Sequence, residues 1–414
     1  MESDPLTMNS DLSDTDVLLT LNIGSSSVKF AGFSATDATR RLISGQFDDR
    51  DGQLRWTHFG DDGQPTHRQS FELPLGTAAS RREDVLQQIV DLFRPGERSL
   101  RSIVHRVVHG GTEFTGPVLI NQHTLEALEE LSAWAPLHQP ACLRAIRLSR
   151  QLYPNIPQLA CFDTAFHQTL PQESFQFAIP HFLTERGIRR YGFHGLSFQS
   201  VLRRLQQVAP DLAKGRVVVA HLGGGSSLCG MRNGRSIGTT MGLTPLDGLP
   251  MATRCGSLDP GVVLHLMRGE RMTVEQISHL LYRESGLLGV SQNSGDMRTL
   301  LAAASPESKD AVRLFVHHVA REIGALFVDL HGLDGLVFTG GIGENSAEIR
   351  QMVCQQLDSL GIAIDLEANT HSNSLLTASG SQVAVWRLKS DEESEMAHQA
   401  ISYFNGQESQ KPSP

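Results

Sequence analysis

The chain has 414 residues, 40% hydrophobic and 20% charged, with a formal net charge of −9: an ordinary soluble composition, long enough for two or three domains and a full core without staples. The acidic balance and the lack of a basic run exclude nucleic acid and anionic membranes as principal partners, so a small anionic substrate must be caught by locally placed arginines. The five cysteines (Cys142, Cys161, Cys229, Cys255, Cys354) are odd in number, scattered and never in a C-x-x-C pair, which fits a reducing compartment and neither a disulfide framework nor a structural zinc site.

Residues 1–16, MESDPLTMNSDLSDTD, carry acids where a signal peptide needs a basic start and an apolar core, and no apolar run approaches membrane-spanning length. The reading is a cytoplasmic protein with a loose polar N-terminal extension. Residues 18–33, LLTLNIGSSSVKFAGF, predict two strands joined by a tight glycine-serine turn. Residues 102–111, SIVHRVVHGG, read as a buried strand. Helices are expected at 123–131 and 138–152, where Cys142, Leu143, Ile146, Leu148 and Leu152 follow helical rather than alternating spacing. Residues 158–165, QLACFDTA, read as a strand ending in a polar tip at Asp163.

The second half opens with a hairpin of the same kind at 217–232, VVVAHLGGGSSLCGMR. Helices follow near 262–268 and 273–284, then a long one over 306–331, with Phe315, Val319, Ile323, Leu326, Phe327 and Leu330 along one face. Residues 334–353, DGLVFTGGIGENSAEIRQMV, read as strand, glycine turn and helix, with Asn345 and Glu348 at capping-box spacing. A last strand at 382–388, QVAVWRL, precedes the acids Asp391, Glu392 and Glu393.

The two hairpins look like copies of one device. Glycine, with no Cβ, lets backbone N–H groups approach an anion closely, and serine hydroxyls add donors. Either hairpin alone would serve as an ordinary turn. Together with the third glycine cluster, where a helix N-terminus offers further N–H groups, they predict two related lobes facing each other with a nucleotide held between. There is no G-x-x-x-x-G-K-[ST], no G-x-G-x-x-G between strand and helix, and no H-E-x-x-H, so the phosphate chemistry is neither of the P-loop nor of the dinucleotide-binding kind, and no metalloprotease is announced.

Ten blocks stand in order along the chain: NIGSSSVKF, HRVVHGGTEFTGPV, APLHQPA, FDTAFHQTLP, RRYGFHG, HLGGGSS, TTMGLTPLDGLPMATRCGSLDP, SGLLGVSQNSGDMR, FTGGIGENSAEIR and SDEE. With them the chain, from Val17 to near Ala397, resembles the acetate and propionate kinases of the sugar kinase, actin and heat-shock ATPase superfamily. The resemblance implies an α/β, duplicated ribonuclease H-like fold of two hinged lobes, each a mixed five-stranded sheet with flanking helices. Residues 17–165 with 390–414 would form the first lobe, for the acyl substrate and the first phosphate loop, and 166–389 the second, for nucleotide binding and dimerisation. It also implies reversible, Mg2+-dependent, in-line phosphoryl transfer between ATP and acetate, giving acetyl phosphate and ADP, with Mn2+ as a substitute cation. The partners implied are the small carboxylate, the nucleotide and a second copy in a homodimer, with no nucleic acid and no membrane.

Such a transfer brings two anions together, so catalysis is mostly charge neutralisation and positioning. By motif position Arg106 and Arg254 match the family's active-site arginines, whose planar forks suit carboxylate and phosphate: Arg106 for the carboxylate, Arg254 bridging to the phosphoryl group. His194 matches the histidine that donates to the equatorial oxygens of the transition state, and His138 one that orients the acyl or phosphoryl group; an ordinary hydrogen-bonded core histidine is the other reading of each. Asp163 would orient Arg106 or bind cation-bound water. Asn22 and Glu392 match the Mg2+ positions, Glu392 otherwise being a solvated acidic end.

Lys29, Ser25 and Ser27 would face the nucleotide phosphates in the first loop, and His221, Leu222, Gly223, Gly224 and Gly225 in the second. Asp296, Met297, Arg298, Gly341, Ile342, Gly343, Glu344 and Asn345 would lie near ribose and adenine. Val108, Leu137, Phe193 and Pro245 match an apolar acyl pocket; since one methylene is worth about 1 kcal/mol, it prefers acetate without excluding propionate.

Three segments depart from the family pattern: HLGGG for HLGNG, GLSF (195–198) for GTSH, and Cys255-Gly256-Ser257 for Ser-Gly-Asp. The charged set is intact, so the expectation is an active kinase with altered nucleotide affinity, donor choice or turnover. The rivals are a propionate or other short-chain fatty acid kinase and a weakly active nucleotide-binding homologue. A sugar kinase would need a polar pocket and a carboxylate base for a hydroxyl, which the implied apolar, arginine-rich pocket does not offer.

Overall fold

The computed structural model describes residues 16–23, 27–48, 53–60, 62–72, 78–92, 99–136 and 138–408. The candidate residues Ser25 and Leu137, and all but the last residue of the extension expected over 1–16, lie outside the described residues. The chain divides into two compact units, one taking in the chain up to Ala165 together with Asp391 onward, the other Phe166–Ser390.

The first unit is built on β1 (Asp16–Ile23), β2 (Ser27–Ser34), β3 (Arg41–Asp48), β4 (Gln53–Phe59), β5 (Pro65–Glu72), β6 (Ser99–Val107), β7 (Val118–Leu119) and β8 (Gln158–Phe162), in the order β5-β4-β3-β2-β1-β6-β8-β7. β1, DVLLTLNI, is buried at every residue, as befits a central strand covered on both faces. It pairs antiparallel with β2 and parallel with β6, and β6 runs parallel to β8. Strand alternation sends Phe30 into a core shared with Val85, Ile89 and Ala145 of two helices, and sends Ala31 and Phe33 against Ala397 of the helix Glu392–Glu408. The C-terminal helix thus belongs to the sheet that opens the chain.

The second unit carries β9 (Arg216–Leu222), β10 (Ser226–Arg232), β11 (Arg235–Thr239), β12 (Gly335–Thr339) and β13 (Ala384–Arg387), in the order β11-β10-β9-β12-β13. β9 is antiparallel to β10 and parallel to β12, and β12 is parallel to β13. This repeats the plan of β3-β2-β1-β6-β8, which accounts for the resemblance between the two hairpins. The helix Pro306–Leu330 covers the sheet with Phe315, Val319, Ile323, Leu326 and Leu330, each worth about 2 kcal/mol of apolar burial. Ser305 caps its start by accepting from the Ser308 N–H, and His331 ends it in the left-handed conformation.

Two sequence expectations need correction. The first sheet has eight strands among the described residues, not five: β3, β4 and β5 form an antiparallel meander, and β7 pairs with the outer edge of β8. The outermost strand β5, PTHRQSFE, is exposed throughout, and its proline and charges are what an unpaired edge tolerates. The helix Ala347–Gln356 is capped by Ser346, which accepts from the Ile349 N–H at 3.3 Å, and not by Asn345. Asn345 instead ends the short helix Gly340–Asn345, its Nδ2 donating to the Gly341 carbonyl at 2.8 Å. Among the described residues no helix is long and apolar enough to cross a membrane.

Candidate active site

Three neighbouring strands of the first sheet deliver polar side chains to their carboxyl ends, the edge at which open α/β sheets carry ligands. Asn22 is the penultimate residue of β1, Arg106 that of β6, and Asp163 directly follows β8. Arg106 donates from Nε to both Asp163 oxygens (3.0 and 3.2 Å) and from Nη2 to Oδ2 at 2.6 Å, while Nη1 donates to Asn22 Oδ1 at 2.9 Å and lies 3.5 Å from Glu392 Oε2. The Asp163 side chain is 1% exposed and that of Arg106 16%. Burial works against the Arg106 charge, but Asp163 and then Glu392 more than offset it and hold the guanidinium above its ordinary range. Burial likewise pushes the Asp163 carboxyl up, and the Arg106 charge pulls it back. The result is a fixed cation whose orientation is set before any substrate arrives.

Asn22 also donates from Nδ2 to Glu392 Oε2 at 2.9 Å and to Glu393 Oε1 at 3.0 Å, so the first turn of the C-terminal helix presents two carboxylates to one amide. Burial, then the charge of Glu392, pushes the Glu393 carboxyl up, against the pull of Lys29 and the Asn22 hydrogen bond. Lys29 sits opposite Asn22 in the β1–β2 register, and Ser27 opens β2. Among the described residues no three His, Cys, Asp or Glu side chains are grouped to hold a metal ion. The donors at this edge are the Glu392 and Glu393 carboxylates, bridged by Asn22 Nδ2, while the Asn22 amide oxygen is turned to Arg106 Nη1. The carboxylate pair fits a hard divalent cation that keeps waters and substrate phosphates as its other ligands, and a dication would relieve the Glu392–Glu393 repulsion.

Beyond Arg106 the chain is locked. Val108 is buried, and Gln139 accepts from the His109 N–H at 3.1 Å and returns a hydrogen bond to the His109 carbonyl at 3.0 Å. Gly110 donates to Thr164 Oγ1 at 3.0 Å. His138 occupies the residue before the helix Gln139–Leu152 and is half-buried.

In the second unit His194 precedes the helix Gly195–Val208 in the left-handed conformation, φ 58°. Its Nδ1 meets Ser227 Oγ at 2.8 Å, and its ring stacks on that of His221 with centroids 4.3 Å apart. His221 Nδ1 in turn meets Ser197 Oγ at 2.7 Å. A side chain at Gly225 would place its Cβ 3.3 Å from His194 Nε2 and 3.4 Å from Arg254 Nη2, so imidazole and guanidinium border one spot above the second hairpin turn. Arg254 Nη1 donates to the Pro245 carbonyl at 2.8 Å, which anchors the guanidinium; Pro245 and Phe193 are buried.

The two glycine turns of this unit meet. A Cβ on Gly223 would lie 3.6 Å from the Gly341 nitrogen, and Gly340, at φ 76°, passes so close to Leu222 that a Cβ would sit 2.7 Å from its carbonyl oxygen. Glu344 accepts from the N–H groups of Gly340 (3.1 Å) and Ser390 (3.2 Å). The fully buried Arg350 donates to the carbonyls of Gly343 (2.9 Å) and Glu344 (3.0 Å) and to Asn369, a brace for the turn 340–345. Burial, helped by Arg387, lowers the Arg350 pKa to about 10, still charged at neutral pH. Ile342 packs against the adjoining core, as do the buried Met297 and Leu222. Asp296 caps the helix Met297–Ala302, and its hydrogen bond from Arg298 leads a set of contacts that lowers its pKa to about 2.

The structure therefore brings Asn22, Arg106, Asp163 and Glu392 together in one unit, and His194, His221, Gly223, Gly225, Arg254, Pro245 and Gly341 in the other. Of the apolar set, Val108 belongs to the first unit, Phe193 and Pro245 to the second. Sequence reasoning passed over Glu393, Ser227, Ser197 and Arg350, all of which stand inside or beside the quoted motifs. The departures also sort themselves. A Cβ on Gly224 would meet nothing within 4 Å, so a side chain there is a matter of ligand contact and not of packing. Phe198 is buried in a core with Val201, Leu205, Val217 and Val219, so this position serves as apolar filling.

The Acetokinase family matches residues 17–398. An acetate kinase of Rhodopseudomonas palustris is 48% identical over 385 residues, 92% of this chain and 96% of the relative. Among solved structures, a propionate kinase from Francisella tularensis is 36% identical with a TM-score of 0.84, covering 93% of this chain and 98% of that one. The acetate kinase of Porphyromonas gingivalis is 31% identical with a TM-score of 0.78, covering 94% and 99%.

Proposed function

The chain belongs to the acetokinase family and is a kinase, and we propose that it transfers the terminal phosphoryl group of ATP reversibly and in line to acetate, giving acetyl phosphate and ADP. The observation that carries this reading is Arg106, a guanidinium pinned by Asp163 and Asn22 at the carboxyl edge of a sheet. A preset fork of this kind suits a carboxylate, and holding the acceptor still converts a bimolecular encounter into an oriented one.

His194 and Arg254 then serve the phosphoryl group. For His194 to donate from Nε2, that nitrogen must carry the proton, which makes Nδ1 the acceptor of the Ser227 hydroxyl. Arg254, tethered through Nη1 to the Pro245 carbonyl, places positive charge beside it. Donors fixed in advance where charge develops lower the barrier without reorganising during the reaction. The facing glycine turns 222–225 and 340–345 receive the nucleotide. Glu392 and Glu393, positioned by Asn22, would hold Mg2+, whose chemistry is to neutralise the phosphate oxygens. The test is hydroxamate trapping of acyl phosphate from acetate, ATP and Mg2+: product well above the Arg254→Ala background is expected, and product no higher than that background overturns the assignment.

The helix Pro260–Arg268, PGVVLHLMR, has no buried residue, and Val262, Leu264 and Met267, with Leu258 and Val274 beside them, leave an apolar face exposed. A second copy of the chain is the occupant proposed for it, in keeping with the homodimer implied by the family resemblance. Leu264→Asp with Met267→Asp is expected to shift the sedimenting species from twice 45.3 kDa to one chain of that mass; an unchanged dimer would locate the interface elsewhere. The reaction is placed in the cytoplasm, where ATP is available and the five cysteines, all free thiols and four of them buried, stay reduced.

A further inference from the structure

His167 lies in the turn Ala165–Thr169, is 1% exposed, and takes no part in the chemistry above. Its Nε2 is 3.0 Å from the Phe193 carbonyl oxygen and its Nδ1 2.9 Å from Ser236 Oγ. A carbonyl only accepts, so Nε2 carries the proton; Nδ1 is then an acceptor, and the Ser236 hydroxyl must donate to it. The Cys229 thiol, 3.4 Å away, can donate into the Ser236 oxygen, which completes a directional chain with every polar atom of the ring used. Phe166 and Phe198 meet the imidazole edge to face, with centroids 5.7 and 5.6 Å away, and fix its plane. Burial, with Arg190 nearby, lowers its pKa to about 4, so the neutral tautomer persists at neutral pH.

The group this ring holds is the peptide just before His194. Gly192 has φ 76° and His194 φ 58°, two left-handed residues flanking Phe193. A Cβ on Gly192 would strike His167 Cδ2 at 2.6 Å, so turn and imidazole are fitted to one another. A non-glycine residue in this conformation persists only where its surroundings over-determine it. We propose that His167 is a positioning residue for His194: its Nε2–H fixes the Phe193 carbonyl and thereby the left-handed turn that aims the His194 imidazole, whose own Nδ1 is steadied by Ser227. The proposal rests on the role given to His194 above. Phe198, edge-on to the imidazole, is part of the clamp.

The test exploits two amide replacements. His167→Gln reaches with its amide nitrogen to where Nε2 stood and keeps the bond to Phe193; His167→Asn reaches only to where Nδ1 stood and keeps only Ser236. His167→Asn is expected to lower kcat about 10²-fold with the KM values for acetate and ATP within about twofold, the scale of an ångström's misplacement, while His167→Gln recovers most of kcat. A merely structural role would impair both variants alike, and that result, or wild-type kcat in His167→Asn, overturns the proposal.

Adding His167→Asn to His194→Asn should cost nothing further, because the two act as one unit; a full additional loss overturns it. If His194→Asn itself keeps wild-type kcat, the reading of His194 fails, and the imidazole NMR resonances of His194 in His167→Asn then decide separately: a shift supports positioning, and unmoved resonances refute it. Should His167→Asn not fold, Ser236→Ala, which removes only the donor to Nδ1, is expected to move the same resonances and lower kcat more mildly, and no movement refutes the proposal.

Discussion

Arg106→Ala is expected to lower kcat/KM for acetate by at least about 10³-fold, the upper range for losing one preorganised donor, because it removes the cation proposed to hold the acceptor. The same change strips Asp163, 1% exposed, of its counter-charge, and about 3–5 kcal/mol of stability should go with it. The pH dependence gives this loss a signature. Burial raises the Asp163 pKa, and without Arg106 the main opposing charge is gone, so its folded-state value stands above its unfolded one. A carboxyl with that sign of shift weakens the fold once pH rises through the carboxylate range and costs nothing when protonated. The deficit in Tm relative to wild type should therefore close as pH is lowered. Arg106→Ala with Asp163→Asn should regain most of the stability at neutral pH and none of the activity; regained activity would remove Arg106 from the mechanism.

His194→Asn is expected to lower kcat by about 10²–10³-fold while the KM values for acetate and ATP stay within about twofold. Asparagine is chosen because, like histidine, it accepts the left-handed conformation that the turn imposes, so the backbone at φ 58° survives. What is lost is the Nε2 donor and the stacking on His221. Equal falls in kcat and kcat/KM identify an interaction made only in the transition state. A raised KM with unchanged kcat would instead make His194 a ground-state binding residue. Steady-state kinetics with ADP release as the readout separates the two.

Much of this was legible in the residues. The apolar run of β1, the two glycine hairpins and the polar tip at Asp163 are local patterns, and they predicted the central strands and the edge where the charged groups gather. What stayed hidden depends on contacts distant in sequence or on choices between equivalent neighbours. The outermost strand β5 carries few apolar residues because an edge needs few, so it left little periodic trace. Nothing in the run Asp391-Glu392-Glu393 tells which carboxylates turn inward; two do, since Asn22 reaches across to both in the first helical turn. Asn345 and Ser346 are both good caps, and only the continuation of the glycine turn as a short helix decides for Ser346. His167 is joined to Phe193 and Ser236, a pairing no spacing announces. Phe198 could have been placed: with Val201 and Leu205 it keeps helical spacing on an apolar face, the mark of a core position.

The helix Glu392–Glu408 gives the order of synthesis a consequence. As the polypeptide leaves the ribosome, the first eight strands are complete long before this helix exists, because all of Phe166–Ser390 is translated in between. Until then Ala31, Phe33 and Ala38 lack Ala397 and Ile401 over them, and Arg106 and Asn22 lack Glu392. The N-terminal half must wait, with an uncovered greasy face, for the last stretch of message to be read, so a premature stop near the end would disable the part of the enzyme that was made first.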